Sequence, residues 1–286
     1  MRFLIFKLFG RFTWSLRKIS FNKQKGFVAY LGTDVNPPPR ADIIIIPKSS
    51  IPKPTYHFQR SSNRMICFSD YKALPLRDKS ITHFILSNAL DFSLQPRQLL
   101  DEVVRVAKSG YIESPNVLLE RFYPHPIRVS ELAISDDSLL VSIKTNPVQD
   151  KFLSRLQLYK NDSMWKALFS FIPYLFFIRL NWKDSINYKI LGEKPRTNNS
   201  KKMWPKGLPC NYKKISHKRN VSSFFLFILN QISSFKRRRR MSLKIIKDIF
   251  ECPLCKESLI AQGEYFQCKK CTTNIDKNTN PDSVSE

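Results

Sequence analysis

The sequence predicts an α/β chain, a doubly wound parallel sheet followed by a small C-terminal ribbon. Three observations predict it. Short apolar strands alternate with helical spacing between residues 26 and 116. Four cysteines stand in two close pairs near the C-terminus. The chain has 286 residues, 42% of them hydrophobic, enough for one medium domain and a small appendage.

Phe27–Leu31 has the composition of a strand. Ala41–Ile46 contains four consecutive isoleucines, the pattern of a parallel strand buried on both faces. Met65–Ser69 and Ile81–Ser87 are the third and fourth strands. Pro96–Ala107 is a helix, because Leu99, Leu100, Val103 and Val106 recur at spacings of three and four. Arg105 and Lys108 near its end suit the negative pole of the helix dipole. Gly110 reads as the helix stop, and Tyr111–Glu113 opens a fifth strand. Strands joined by helical connections imply a parallel sheet with helices on its faces. Further on, Leu139–Lys144 and Asn187–Ile190 read as strands. Ala167–Ile178 is almost wholly apolar but short and broken by Pro173, so it reads as a buried helix rather than a membrane span.

The flanks are basic. In residues 1–20, Ile5, Leu8, Phe9, Phe12, Leu16 and Ile19 share one helical face, with Lys7, Arg11 and Lys18 opposite. A helix lying in a membrane interface has this pattern, and so does one packed on the domain's own surface. Charges interrupt the apolar run and no small-residue cleavage site follows, against a signal peptide. Residues 191–241 form a basic linker with a short apolar run, Phe224–Leu229, and the block Lys236-Arg-Arg-Arg-Arg240. Lipid head groups and nucleic-acid phosphates would both bind such a block, and a solvated linker would carry it equally well. The organisation expected is residues 1–20 as a basic amphipathic helix, 26–190 as the α/β domain, 191–241 as linker and 242–275 as ribbon.

The ribbon rests on Cys252-Pro-Leu-Cys255 and, twelve residues on, Cys268-Lys-Lys-Cys271. Each C-x-x-C pair grips one edge of a tetrahedron, and the hairpin between them closes it. Four thiolates in that pattern select Zn²⁺ in a closed, structural site; two disulfides or redox pairs are the alternative. Outside the ribbon only Cys67 and Cys210 remain. That usage fits a reducing, cytoplasmic compartment, with membrane-peripheral placement if the basic segments meet lipid. The formal net charge is +25, which attracts polyanions such as anionic bilayers or nucleic acid.

In an open α/β sheet, ligands bind beyond the carboxyl ends of the strands. The segments there are Gly32-Thr-Asp-Val-Asn-Pro37, Asp70-Tyr-Lys-Ala-Leu-Pro-Leu76, Asn88-Ala-Leu-Asp-Phe92 and Ser114-Pro-Asn116. The stretch Phe68–Ser80, the strand Ile81–Ser87 and the segment Leu100–Pro115 resemble class I S-adenosylmethionine-dependent methyltransferases, most closely the type 11 group. The resemblance covers about residues 26–190. Leu243–Cys271 resembles the small Trm112-like zinc ribbon.

The resemblance implies a Rossmann-like methyltransferase sheet and S-adenosylmethionine as cofactor. It implies that Asp70 binds the adenine amino group, with Tyr71 and Leu74 flanking the ring. Gly32 and Asp34 would line the methionine end, with Ser87 beside the methyl donor. Asn88, Glu113 and His125 would border the acceptor. The chain also departs from the family. Asp34 stands where the next loop glycine is expected, and Tyr30 replaces the usual acidic residue in the first strand. Ile46 replaces the carboxylate that holds the ribose, and Asp42, four residues earlier, is out of its reach. Thr82 replaces an aspartate, and Asn88 with Asp91-Phe92 replaces a Glu-His loop.

Three functions follow. The first is methyl transfer to a small-molecule, lipid or glycan acceptor. The second is a catalytically inactive, methyltransferase-like binding or scaffold protein. The third is RNA modification, for which aromatics are present but no interleaved basic and aromatic reading motif.

Overall fold

The computed structural model describes residues 24–32, 37–47, 64–69, 73–122, 125, 128–144, 172–192, 229, 231–237, 248–262, 265–271 and 274–276. Its centre is a six-stranded sheet built from β1 (Val28–Gly32), β2 (Ile43–Pro47), β3 (Met65–Ser69), β4 (His83–Ser87), β5 (Ser109–Pro115) and β8 (Phe177–Lys183). The order is β3-β2-β1-β4-β5-β8. The first five strands run parallel, and β8 pairs antiparallel along the whole of β5, from Ser109↔Lys183 to Pro115↔Phe177. The order reverses between β1 and β4, which makes that gap the switch point of the sheet. The expected doubly wound, Rossmann-like α/β class is therefore observed.

Both faces are apolar, as the isoleucine run requires. Ala29, Leu31, Ile43, Ile45, Phe84, Leu86 and Ile112 pack on one face against α1 (Pro96–Val106), through Leu99, Leu100, Val103 and Val106. Val28, Tyr30, Ile44, Ile46, Ile85 and Tyr111 form the cluster on the other. α1 is the parallel crossover from β4 to β5. It starts on Pro96, whose fixed φ suits the first turn.

The β1–β2 connection departs from the usual pattern. Only residues 33–42 join these parallel neighbours. Residues 37–42 carry a turn and no helix. A crossover with its helix ordinarily takes a dozen residues or more.

Two sequence expectations change. Ala167–Ile178 is not a buried helix where it is described: residues 173–175 form a single 3-10 turn, and β8 begins at Phe177. Ile178, Leu180 and Trp182 alternate inward with Arg179, Asn181 and Lys183 outward, the period of a half-buried strand. Gly110 does not cap α1, which ends at Val106 with Ala107 extended. It lies inside β5, where a Cβ would run into the Phe84 carbonyl and the Trp182 ring.

After β5, α2 (Val117–Phe122) leads to a three-stranded sheet of β6 (Ser130–Ser135), β7 (Ser138–Ile143) and β9 (Tyr188–Leu191), ordered β6-β7-β9. The C-terminal module is a second three-stranded sheet, β10 (Leu259–Gln262), β11 (Tyr265–Cys268) and β12 (Asn274–Asp276), antiparallel throughout. It is docked, not tethered. Ile249, Phe250 and Leu259 enter the core beside α1, Phe250 bridges Leu76, and Arg77 N donates to Ile249 O at 2.8 Å.

Candidate functional site

The four-cysteine centre is the most complete local arrangement. The Sγ atoms of Cys252, Cys255, Cys268 and Cys271 all lie within 4.8 Å of one another, with Cys255 Sγ and Cys268 Sγ at 3.4 Å. A tetrahedral S₄ site with metal–sulfur bonds of roughly 2.3 Å needs sulfurs about 3.8 Å apart. The donors therefore fit a metal ion. The knuckle is shaped by its backbone. Lys256 N donates to Cys252 O, Cys252 N donates to Glu257 O, both at 2.9 Å, and Lys256 takes φ 64° to turn the chain. The thiols are electrostatically unequal. The Cys271 N–H lowers Cys268 to about 7, while hydrogen bonding with the Cys255 thiol, and then burial, push Cys271 up to about 12. A cation among them would favour all four thiolates.

Arg105 joins this module to the sheet domain. From α1 it donates to Leu74 O at 3.0 Å and Leu76 O at 2.9 Å. It grips both oxygens of Glu102 at 2.8 and 2.9 Å, pairs with Asp78 at 2.5 Å and reaches Glu251 beside the first cysteine at 3.2 Å. Glu102 in turn accepts from Leu74 N at 2.7 Å. Hydrogen bonds to Glu102 and Asp78 outweigh partial burial and raise the guanidinium pKa above its already high value.

At the carboxyl end of the sheet, register places Gly32 beside Ser87, Ser87 beside Glu113 and Glu113 beside Arg179. Asn88 follows β4 in the left-handed region, φ 49°, and its N–H donates to Glu113 O at 2.7 Å. Glu113 is buried, and its carboxylate accepts from the Tyr111 hydroxyl at 2.8 Å. The structure thus brings together Gly32, Ser87, Asn88 and Glu113. Leu74 is completely buried in the core under α1. Asp34, Asp70 and Tyr71 lie outside the described residues.

His125 belongs to a neighbouring network that sequence reasoning missed. Asp91 is buried, pairs with Arg128 at 2.6 Å and accepts from Ser114 Oγ at 3.1 Å. Arg128 also holds Glu120 at 2.6 Å, Lys144 pairs with the other Glu120 oxygen, and His125 N donates to that same oxygen at 2.8 Å. The His125 ring meets Phe92 edge-on at 5.5 Å. Burial, then the Arg128 charge, lower its pKa. Burial also raises the Asp91 pKa, with Arg128 opposing. Two carboxylates facing two cations form a largely internal set, and no sequence motif marked it.

In the family a glycine at position 32 leaves backbone open to the ligand. Here a Cβ on Gly32 would strike the Tyr30 hydroxyl and ring and the Ser87 carbonyl. The space left by the missing side chain is filled by the chain's own tyrosine, at the position where the family carries an acid. Ile46 puts a buried aliphatic chain near the end of β2. At these two positions, Tyr30 and Ile46, the described residues lack the acid and the ribose carboxylate that the resemblance implies.

The amino ends of the strands hold the last cluster. Asp42 is buried, accepts from Val28 N at 3.1 Å and pairs with Arg40. Arg237, 0% exposed, lies 3.6 Å from Asp42 and donates to Pro39 O at 2.6 Å. Of the basic block expected to meet phosphate, Arg237 is therefore turned inward by a carboxylate, whereas Lys236 is exposed. Burial, then Arg237, lower the pKa of nearby Arg64 to about 9. Buried His83 presents Nδ1 to Ser109 Oγ at 3.1 Å. That hydroxyl donates to Thr82 O at 2.8 Å, so the proton sits on Nδ1 of the neutral ring.

No protein-family model and no curated protein matches the chain. Solved structures do. A S-adenosylmethionine-dependent methyltransferase of Thermotoga maritima is 17% identical, with a TM-score of 0.31, over 39% of this chain and 54% of its own. A Pyrococcus horikoshii protein is 17% identical, with a TM-score of 0.33, over 50% of this chain and 78% of its own. The complex of the Haloferax volcanii Trm112 methyltransferase activator with a methyltransferase gives 12% identity and a TM-score of 0.37, over 59% of this chain and 89% of that one. The chain thus spans about half the length of the first. None of these likenesses assigns a residue or an activity here.

Proposed function

We propose that this chain is a methyltransferase-like binding protein that does not carry out methyl transfer, with its C-terminal ribbon held by Zn²⁺. One observation supports the reading: the Tyr30 phenol fills the space beside Gly32, the residue that the resemblance puts at the methionine end of the cofactor. The ribose carboxylate replaced by Ile46 points the same way. A lost charge-assisted hydrogen bond costs about 1.5–3 kcal/mol, and each 1.4 kcal/mol is about a decade of affinity. The test is calorimetric titration of S-adenosylmethionine into the zinc-loaded protein. No heat is expected at millimolar cofactor. Micromolar binding that Asp70→Ala abolishes would overturn the reading.

Zn²⁺ suits four clustered thiolates in a module too small for a core of its own. Elemental analysis should find one zinc per chain, and Cys268→Ser should remove it. A second reading, methyl transfer to a small-molecule, lipid or glycan acceptor, is favoured by the row Gly32, Ser87 and Glu113 with Asn88 beside it. In that reading Asp34 lines the methionine end with Gly32, Asp70 binds the adenine with Tyr71 beside the ring, and His125 borders the acceptor. Among the described residues no helix is long and apolar enough to cross a membrane. A cytoplasmic, membrane-peripheral placement accords with the charge and the cysteine usage. RNA would be an alternative polyanion.

A further inference from the structure

The twelve residues Ala167–Ile178 contain no charged side chain, and a chain this apolar is normally buried. Here Tyr174 is 57% and Leu175 49% exposed. Leu118, at the start of α2, is also 49% exposed. The two segments are stitched together by Asn116. Its Nδ2 donates to Leu175 O at 2.7 Å, its N–H donates to Phe176 O at 2.9 Å, and its Oδ1 accepts from Leu119 N at 3.0 Å. The backbone segments that bear the three exposed side chains therefore meet beyond the carboxyl end of β5, where β8 begins.

Among the described residues, the charges around that place are mostly positive outward. Arg121, one turn after Leu118, and Arg179, two residues into β8 from Phe177, are both exposed. The nearby carboxylates turn inward: Glu113 is buried against Tyr111, and Glu120 is buried between Arg128 and Lys144. Glu131 is the exception, at 3.8 Å from Arg121, a long pair of small value at a surface.

We propose that the surface carrying Leu118, Tyr174 and Leu175 docks on an anionic phospholipid bilayer, with Arg121 and Arg179 on lipid phosphates. Leucines enter the acyl boundary, a tyrosine suits the head-group level, and arginines reach the phosphates. The charge chooses the occupant. A second copy, at net +25, would be repelled, and a negative bilayer attracts. The inference is independent of whether the chain binds a methyl donor.

The test is flotation of the full chain with phosphatidylcholine vesicles, with and without phosphatidylserine. Leu118→Glu with Leu175→Glu should weaken binding to the anionic vesicles by about tenfold or more. Melting temperature should hold, since both positions are exposed. Arg121→Gln with Arg179→Gln should weaken binding only when phosphatidylserine is present. Wild-type binding that survives the double glutamate variant would place the contact elsewhere on the chain and overturn the proposal. So would absence of wild-type flotation. A dimer that the glutamates dissociate, with flotation unchanged, would assign the surface to a second copy and also overturn it.

Discussion

Gly32 accepts no side chain because the Tyr30 phenol and the Ser87 carbonyl already occupy the space. Gly32→Ala should destabilise by about 1–3 kcal/mol, the usual cost of overpacking. Tyr30→Phe should recover part of it, and a double-mutant cycle by urea denaturation would show the coupling. His83 makes a prediction in pH. Burial, then Arg40, lower its pKa to about 4, against about 6.5 in an unfolded chain. Between those values the unfolded state binds more protons, so stability rises with pH and is lost as pH falls from 6.5 towards 4. The full shift corresponds to about 3 kcal/mol, and partial solvent screening brings it to the order of 2. Urea titrations from pH 7 to 4 should show that loss in the wild type and a smaller one in His83→Gln. A flat comparison would contradict the burial argument.

At the scale of elements, Arg105 is the joint between α1, the 74–78 loop and the ribbon. Arg105→Ala leaves the carbonyls of Leu74 and Leu76 and the carboxylate of Glu102 without it, and should cost about 2–4 kcal/mol. Lysine should not rescue, because one ammonium cannot follow a planar fork. Amide exchange in β10–β12 should accelerate in both variants, and unchanged exchange would refute the joint. The parallel strands were legible because two buried faces demand continuous apolar runs, and four isoleucines in β2 meet that demand. β8 was not, although Ile178, Leu180 and Trp182 alternate cleanly. Its first residues extend the apolar run from Ala167, and the change of period at Pro173 is hidden by unbroken hydrophobicity. Gly110 was read as a stop because it follows a helix. Its reason lies across the sheet, in Phe84 and Trp182, and no local signal reports a neighbour supplied by tertiary pairing. The cysteine cluster was legible because its ligands are local in sequence. The Asp91–Arg128–Glu120–Lys144 set was not, because its members are scattered and each alone resembles a surface charge.

For the whole molecule, the net charge of +25 misdirects if every cation is assigned to the surface. Arg40, Arg64 and Arg237 are buried around Asp42. Asp42→Asn removes the carboxylate that answers Arg40 and Arg237, and should destabilise by about 3–5 kcal/mol, the cost of stranding a buried charge. Thermal unfolding would measure it, and a change below about 1 kcal/mol would mean that the pairing is dispensable. The same contact has a consequence for synthesis. Arg237 follows Pro39, which it also grips, by 198 residues. A ribosome adding about 5–20 residues per second would need roughly 10–40 seconds to supply it. Through that interval Asp42, at the start of β2, has Arg40 and then Arg64 near it but not Arg237. Completion of the sheet's amino end is therefore timed by the translation of the basic segment, which makes that segment a late fastening for a domain whose other strands have already been made.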